Sequence, residues 1–413
     1  MIKKCHWALA AVNFKNTDRV VMCPRMQKSL HSLKTAVQPS EFYNNPNFKK
    51  LRKDLAQGNW PEEQYCRSCE EYENKDYLSY RQRSLQGKWH DKLYDYFNSK
   101  TGKMKYEGLE YIELRFSNAC NLNCLHCSPE YSSKWQSVVK DIPVSKKDKE
   151  YNIHNLNIDV KNQSWTLDQV DLLTDDLIFN FPNLKYIDVG GGEPLYQKQF
   201  WRFLENIQRH PNIENMQILT ISNFNTPVDY EKLSKLFLKF RQSEIRISFD
   251  GGKNMYKYFR NGKYENILRN INEFRKHNTI TTLWATNTIS IYQILDIDNI
   301  IKDFLDAPVD GLHHSFVQYP EYLSMSVLPS TKELHTLMWK WKNYIDTNFK
   351  TMPRLKRIGL TKMVDDIMYM TKKTAIDPEM QKRFVYFTNR MDDIKGTNFQ
   401  DVYGKTVEEL IYG

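Results

Sequence analysis

Cys120-Asn-Leu-Asn-Cys124-Leu-His-Cys127 follows a short apolar run, Tyr111 to Phe116, and holds three of the chain's seven cysteines. Three thiolates at C-x3-C-x2-C spacing in one loop can take three corners of a 4Fe–4S cube. Such clusters ordinarily have four cysteine ligands, so a loop of three leaves one iron open to something else. The competing reading is a structural zinc site or a chance run of buried cysteines. Zinc wants a fourth ligand close by, and His126, between two cysteines, is badly placed to supply it.

The loop resembles the signature of the radical SAM enzymes, whose open iron is chelated by the methionine part of S-adenosylmethionine (SAM). His126 departs from the aromatic residue more usual before the third cysteine, although a planar imidazole can pack similarly. Outward from the loop, strands are expected at about 111–116, 184–189, 216–221, 244–249, 280–286 and 311–317. Amphipathic helices such as Phe200–Gln208 and Tyr230–Phe240 separate most of them. Repeated βα units imply a parallel sheet with right-handed crossovers. The fold class expected is therefore α/β. The resemblance implies a partial (β/α)6 TIM-type barrel, with its site at the C-terminal strand ends.

Residues at those ends carry the resemblance further. The second strand runs into Gly190-Gly-Gly192-Glu193-Pro194. Glycine lets a backbone approach a ligand closely and take positive φ, and the resemblance assigns Gly191, Gly192 and Glu193 to the methionine moiety and its amino group. The third strand ends at Ser222-Asn223, similar to the family's polar strand end near the SAM ribose. In Ile245-Arg-Ile-Ser248-Phe-Asp250, alternation puts Arg246, Ser248 and Asp250 on the face opposite the apolar residues. Ser248 and Asp250 are expected toward the SAM ribose or carboxylate. Arg260 stands where family members carry an arginine that pairs with that carboxylate. The fifth strand ends Trp284-Ala-Thr286-Asn287-Thr288 and the sixth contains His313-His314-Ser-Phe-Val-Gln318, polar groups at strand ends that are expected to face substrate. His313 and His314 on the sixth could bind metal or move protons, but no third ligand is evident.

Before the barrel lie the other four cysteines. A hairpin is expected from Cys5–Phe14 and Arg19–Cys23 about the turn Lys15–Asp18. A helix through Phe48, Leu51 and Leu55 follows, and then Cys66-Arg-Ser-Cys69. Cys5, Cys23, Cys66 and Cys69 can converge into a site with every ligand position filled. This text resembles the twitch or SPASM-type module, which carries an auxiliary 4Fe–4S cluster, although that module usually follows the barrel. A zinc knuckle is the competing reading. Seven cysteines divide as three plus four, leaving no spare thiol as hydrogen donor.

The expected organisation is a module over 1–80, a linker with a helix over 81–108, the barrel over 109–320 and a helical C-terminal extension over 321–413. Residues 141–165 look like an insertion, polar and poorly periodic, and insertions of that length are often functional. In the extension, Thr388–Phe399 is rich in side chains able to hold a polar substrate.

Bulk properties narrow the classes. The 413 residues suffice for a large core. No run approaches the ~18 apolar residues of a membrane helix, and the N-terminal apolar stretch is interrupted by Asn13. The expected address is cytoplasmic, where clustered cysteines read as metal ligands. The net charge of +9 is spread along the chain without a localised basic stripe. That disfavours the third class considered, a zinc-stapled nucleic-acid-binding protein. The resemblance implies reductive SAM cleavage and oxidative modification of a peptide or protein, with a carbohydrate or nucleoside as second choice. It implies an electron donor such as flavodoxin or ferredoxin as partner.

Overall fold

A computed structural model describes residues 3–15, 19–26, 28–34, 36–61, 65–86, 91–156 and 164–413. The chain has a mixed α/β fold, parallel strands alternating with helices, consistent with the partial TIM-type barrel expected, and its C-terminal part is helical. It packs as two units.

The first unit comprises Met1–Asn118, Asn162–Thr220 and Lys232–Ser243. Its strands are β1 (Ala11–Phe14), β2 (Arg19–Val21), β3 (His31–Ser32), the hairpin β4 (Phe97–Asn98) and β5 (Lys103–Met104), β6 (Tyr111–Leu114), β7 (Tyr186–Val189) and β8 (Gln217–Ser222). β6, β7 and β8 run parallel, with Tyr111 opposite Tyr186 and Tyr186 opposite Gln217. β1 joins them, pairing parallel with β6 (Ala11 opposite Tyr111) and antiparallel with β2 (Asn13 opposite Val21). The cysteine-bearing N-terminal segment thus extends the sheet itself.

The expected hairpin is shorter than its sequence suggests. Of the arm Cys5–Phe14, only Ala11–Phe14 is strand, and His6–Ala10 is helical. Alanine is the strongest helix former, and the helical turn buries Ala8, Leu9 and Ala10 while stacking Trp7 on Tyr80 (centroids 5.3 Å apart) and edge-on to Tyr111. The turn at 16–18 lies outside the described residues. The helix Pro46–Ala56 forms as expected, with Asn45 accepting from Phe48 N–H as N-cap and proline in the first turn.

The second unit comprises Ala119–Lys161, Ile221–Glu231 and Glu244–Gly413. It holds β9 (Gln242–Ser248), β10 (Thr282–Ile289) and β11 (Gly311–Phe316), all parallel. β9 and β10 alternate buried and half-buried residues, the period-2 pattern of a sheet packed on one face. Gly311 is required where it stands, because a Cβ there would meet the Trp284 ring at 2.4 Å. The helices Lys332–Thr347, Arg354–Lys373 and Pro378–Lys395 lie in this unit, within the expected helical extension. The 141–165 segment holds two short ordered elements, the helix Lys146–Glu150 and the 3-10 turn His154–Leu156, and 157–163 lie outside the described residues. Among the described residues, no helix is long and apolar enough to cross a membrane.

Candidate active site

The cysteine loop is irregular backbone, and its shape comes from three supports in the second unit. The first is the C-terminal end of the helix Lys253–Arg260. Leu125 N–H donates to Phe259 C=O at 2.8 Å, and Asn261, left-handed at the helix end, donates to Asn123 Oδ1 at 2.9 Å. His126 stacks on Phe259 with centroids 5.0 Å apart, the packing expected of an aromatic at that position. Burial pushes its pKa down to about 4, with Asp250 opposing, so the ring is neutral near pH 7.

The second support is the chain just past the loop. Ser132 Oγ donates to Leu122 C=O at 2.6 Å, and Trp135 Nε1 to Cys124 C=O at 2.8 Å. The third is the 3-10 turn His154–Leu156. Asn155 Nδ2 reaches the carbonyls of Leu125 (3.2 Å) and Cys127 (2.6 Å), and His154 lies between Leu125 C=O and Tyr322 Oη. Ser132, Trp135, His154 and Asn155 hold the loop's carbonyls, which would otherwise be buried without partners. No motif in the sequence marks them.

The three thiols sense one another. Cys127 is pushed well above the ordinary thiol pKa by burial and by Cys124 and Cys120, and burial also raises Cys124. Donors stand by two of the sulfurs: Arg260 Nη1 lies 3.4 Å from Cys124 Sγ, and Asn223 Nδ2 4.0 Å from Cys120 Sγ. Among the described residues, no three His, Cys, Asp or Glu side chains close around a point suited to a single metal ion. Three neighbouring thiols, two of them with N–H donors at the sulfur, fit a larger iron–sulfur body, whose potential such donors tune.

Arg260 is committed within the protein. Its Nε donates to Asp250 Oδ2 at 2.5 Å and its Nη2 pairs with the same oxygen, while Thr288 N–H donates to Asp250 Oδ1 at 3.2 Å. Burial works against the Arg260 charge, but Asp250, Cys124 and Tyr256 outweigh it and hold the guanidinium above its ordinary pKa. Asp250 thus orients the guanidinium through Nε and Nη2. One N–H on each Nη is left to reach a further acceptor. Lys395, from the C-terminal helix, donates to Tyr258 C=O at 2.9 Å. Burial lowers its pKa to about 8, with Cys124 and Asp392 opposing.

Ser222 and Asn223 shape the turn after β8. Ser222 Oγ accepts from Phe224 N–H at 2.9 Å, and Asn223 bridges Asn225 N–H and Asn121 Oδ1. Phe224 itself is left-handed (φ 52°), a costly conformation for a bulky residue. Ser248 faces the half-buried side of β9, in register with Thr286. On β10, Trp284 Nε1 and Thr286 Oγ1 are buried with no hydrogen-bond partner, polar groups left for a ligand or ordered water. His313 and His314 point to opposite faces and form no pair. His314 Nε2 meets Asp366 at 2.9 Å, and burial holds His313 down to about 4. Thr388, expected toward substrate, is buried against Tyr292 Oη at 2.8 Å.

In the first unit, Gly191 (φ 83°) and Gly192 (φ 54°) are both left-handed, as the glycine run requires. Glu193 is fully buried and accepts from Leu195 N–H at 3.1 Å, capping the 3-10 turn Pro194–Tyr196. Gln197 Nε2 donates to Gly191 C=O at 2.8 Å and to Ser117 C=O at 3.2 Å, locking the turn.

Cys5, Cys23, Cys66 and Cys69 are brought together in the same unit. Burial pushes Cys5 up to about 12, with Cys69 adding, and raises Cys23 and Cys66, each with contributions from the other cysteines of the set. Arg81 counters this at Cys5 and Cys66 and is itself tied to Glu73 at 2.6 Å. Among the described residues these four, too, do not close around a point suited to a single metal ion, and four neighbouring thiols fit a cluster with four cysteine ligands.

Residues 114–292 match the model of the radical SAM superfamily. No curated protein matches the chain. Solved structures similar to it include native anSMEcpe with bound AdoMet (17% identity, TM-score 0.41, 60% of this chain and 63% of that one). Streptococcus suis SuiB bound to precursor peptide SuiA is 12% identical, with a TM-score of 0.37 over 93% of this chain and 70% of that one. TYW1 with a lysine–pyruvate adduct bound is 15% identical, with a TM-score of 0.33 over 69% and 80%. The chain covers less than two thirds of the anSMEcpe chain.

Proposed function

From a radical SAM superfamily domain over residues 114–292, we propose that the chain is a radical SAM enzyme that oxidatively modifies a peptide or protein. The observation that carries this reading is the three-cysteine loop with Arg260 3.4 Å from the Cys124 sulfur and Asn223 4.0 Å from the Cys120 sulfur. A 4Fe–4S cluster held by these cysteines would supply the electron for reductive cleavage of SAM, the chemistry needed to take a hydrogen atom from substrate.

Cys120, Cys124 and Cys127 hold the cluster and leave one iron for SAM. Gly191, Gly192 and Glu193 receive the methionine amino group, and Ser222, Asn223 and Ser248 line the ribose side. Asp250 holds Arg260 so that its remaining N–H groups face the SAM carboxylate. Trp284 Nε1 and Thr286 Oγ1, buried and without partners, bind the substrate. Cys5, Cys23, Cys66 and Cys69 hold an auxiliary 4Fe–4S cluster, as in twitch-type modules. Four thiolates leave it no open site, which suits accepting an electron rather than binding substrate. A flavodoxin or ferredoxin is the electron donor, and the enzyme works in the cytoplasm.

Iron and sulfide content after anaerobic purification, with a SAM cleavage assay under dithionite, tests this. About eight irons per chain, two clusters of four, with 5′-deoxyadenosine formed is the expected result. Zinc in place of iron and no cleavage would overturn it.

A further inference from the structure

The first unit contains a cavity of about 250 Å³ whose cationic lining none of the roles above uses, although Cys5, assigned above to the auxiliary cluster, also lines it. It lies between the N-terminal segment, the helix Pro46–Ala56 and the β4 region. Leu9, Leu55 and Phe97 give it an apolar wall. Its other described lining residues include Lys3, Lys4 and Arg52, and among the described residues that line it there is no carboxylate.

Arg52 is the unusual member. It is only 1% exposed, and two of its three nitrogens serve the backbone: Nε donates to Ala8 C=O and Nη1 to Tyr43 C=O, both at 2.8 Å. Its Nη2 is buried with no hydrogen-bond partner. The guanidinium rests on the Tyr43 ring at 4.3 Å and has no ion pair among the described residues. Burial lowers its pKa to about 10, with Tyr43 opposing, the signature of a cation desolvated without an anion. Tyr94 repeats the pattern. It lines the same cavity, and its Oη is buried unpartnered, the Cys5 backbone lying near it outside hydrogen-bond geometry. Lys4 and Lys3 place their ammonium groups over the Tyr94 and Trp60 rings, at 5.2 and 4.6 Å. A buried cation left unpaired is costly, and a bound anion would relieve that cost.

We propose that this cavity binds a small oxyanion, a carboxylate or phosphate group carried on an apolar body, through Arg52 Nη2, Tyr94 Oη and the two lysines. Arg52, Tyr94, Lys3 and Lys4 carry none of the radical SAM assignments.

The test is thermal unfolding of the full chain, purified anaerobically, with sodium benzoate or inorganic phosphate titrated at constant ionic strength against chloride. Arg52 also holds two backbone carbonyls, so its variants can fail by misfolding. Lys4→Gln, at an exposed position, and Tyr94→Phe, which removes one unpartnered oxygen, are the informative changes. A saturable rise in the wild-type midpoint, with apparent affinity reduced about tenfold or more in either variant, supports the site. Benzoate alone acting assigns a carboxylate, and phosphate alone assigns a phosphoryl group. A midpoint no higher than in chloride, or equal responses in all three proteins, overturns it.

Discussion

Arg260 Nη1 lies 3.4 Å from the sulfur of Cys124, while the same guanidinium is pinned by two nitrogens to the fully buried Asp250. A cation is thereby held against one ligand of the candidate cluster, and a carboxylate behind it sets its direction. Arg260 belongs to a helix whose last carbonyls carry the cysteine loop, so loop position and sulfur electrostatics depend on one element.

Asp250→Asn breaks this arrangement with little change in shape. A buried guanidinium then loses its counter-charge, which costs about 3–5 kcal/mol when one partner of a buried pair is removed. The expected outcome is a lower denaturant midpoint with unchanged m-value. If Arg260 tunes the sulfur, the cluster of the folded fraction also shows an altered reduction potential.

Asn155→Ala removes the donor to the Leu125 and Cys127 carbonyls. A buried carbonyl left unpaired costs about 1–3 kcal/mol. Iron retention by the three-cysteine loop is expected to fall under chelator challenge, while Cys66→Ala/Cys69→Ala loses only the other half of the iron. Equal retention in Asn155→Ala and wild type would show that the turn does not support the loop.

His154 gives the loop an acid limit. Burial is the main cause that lowers its pKa from 6.5 to about 3. The folded state therefore binds fewer protons than the unfolded state between those values, and stability rises with pH across that window. The contribution is complete above pH 6.5 and is lost as pH falls toward 3, on the order of 5 kcal/mol in all. Unfolding midpoints measured from pH 4 to 7 should show a shallower slope for His154→Gln than for wild type.

Gly191→Ala places a Cβ on a backbone at φ 83°. A non-glycine residue there costs roughly 1–2 kcal/mol. SAM affinity, measured by equilibrium dialysis on the reconstituted protein, is expected to drop more steeply than thermal stability, because the turn must also admit the ligand. Loss of stability with unchanged affinity would remove Gly191 from the SAM site.

Local pattern alone placed much of this protein. The six barrel strands appear within two or three residues of where the apolar runs put them, since a strand is written by its own period of two. The three-cysteine loop and the glycine turn were legible for a similar reason: ligand spacing and positive φ are properties of a few consecutive residues. Tertiary structure alone decided the rest. Cys5–Ala10 reads as strand by composition, yet its helical turn lets Trp7 stack on Tyr80, more than seventy residues away. Residues 141–165 read as an insertion, yet they carry His154 and Asn155 against the cysteine loop. Arg260 reads as a partner for a ligand carboxylate and is held by Asp250. Arg52 reads as one helix arginine among many until its burial leaves Nη2 without an acceptor. Each of these depends on which distant group fills the space beside a side chain, and that is settled only when the chain packs.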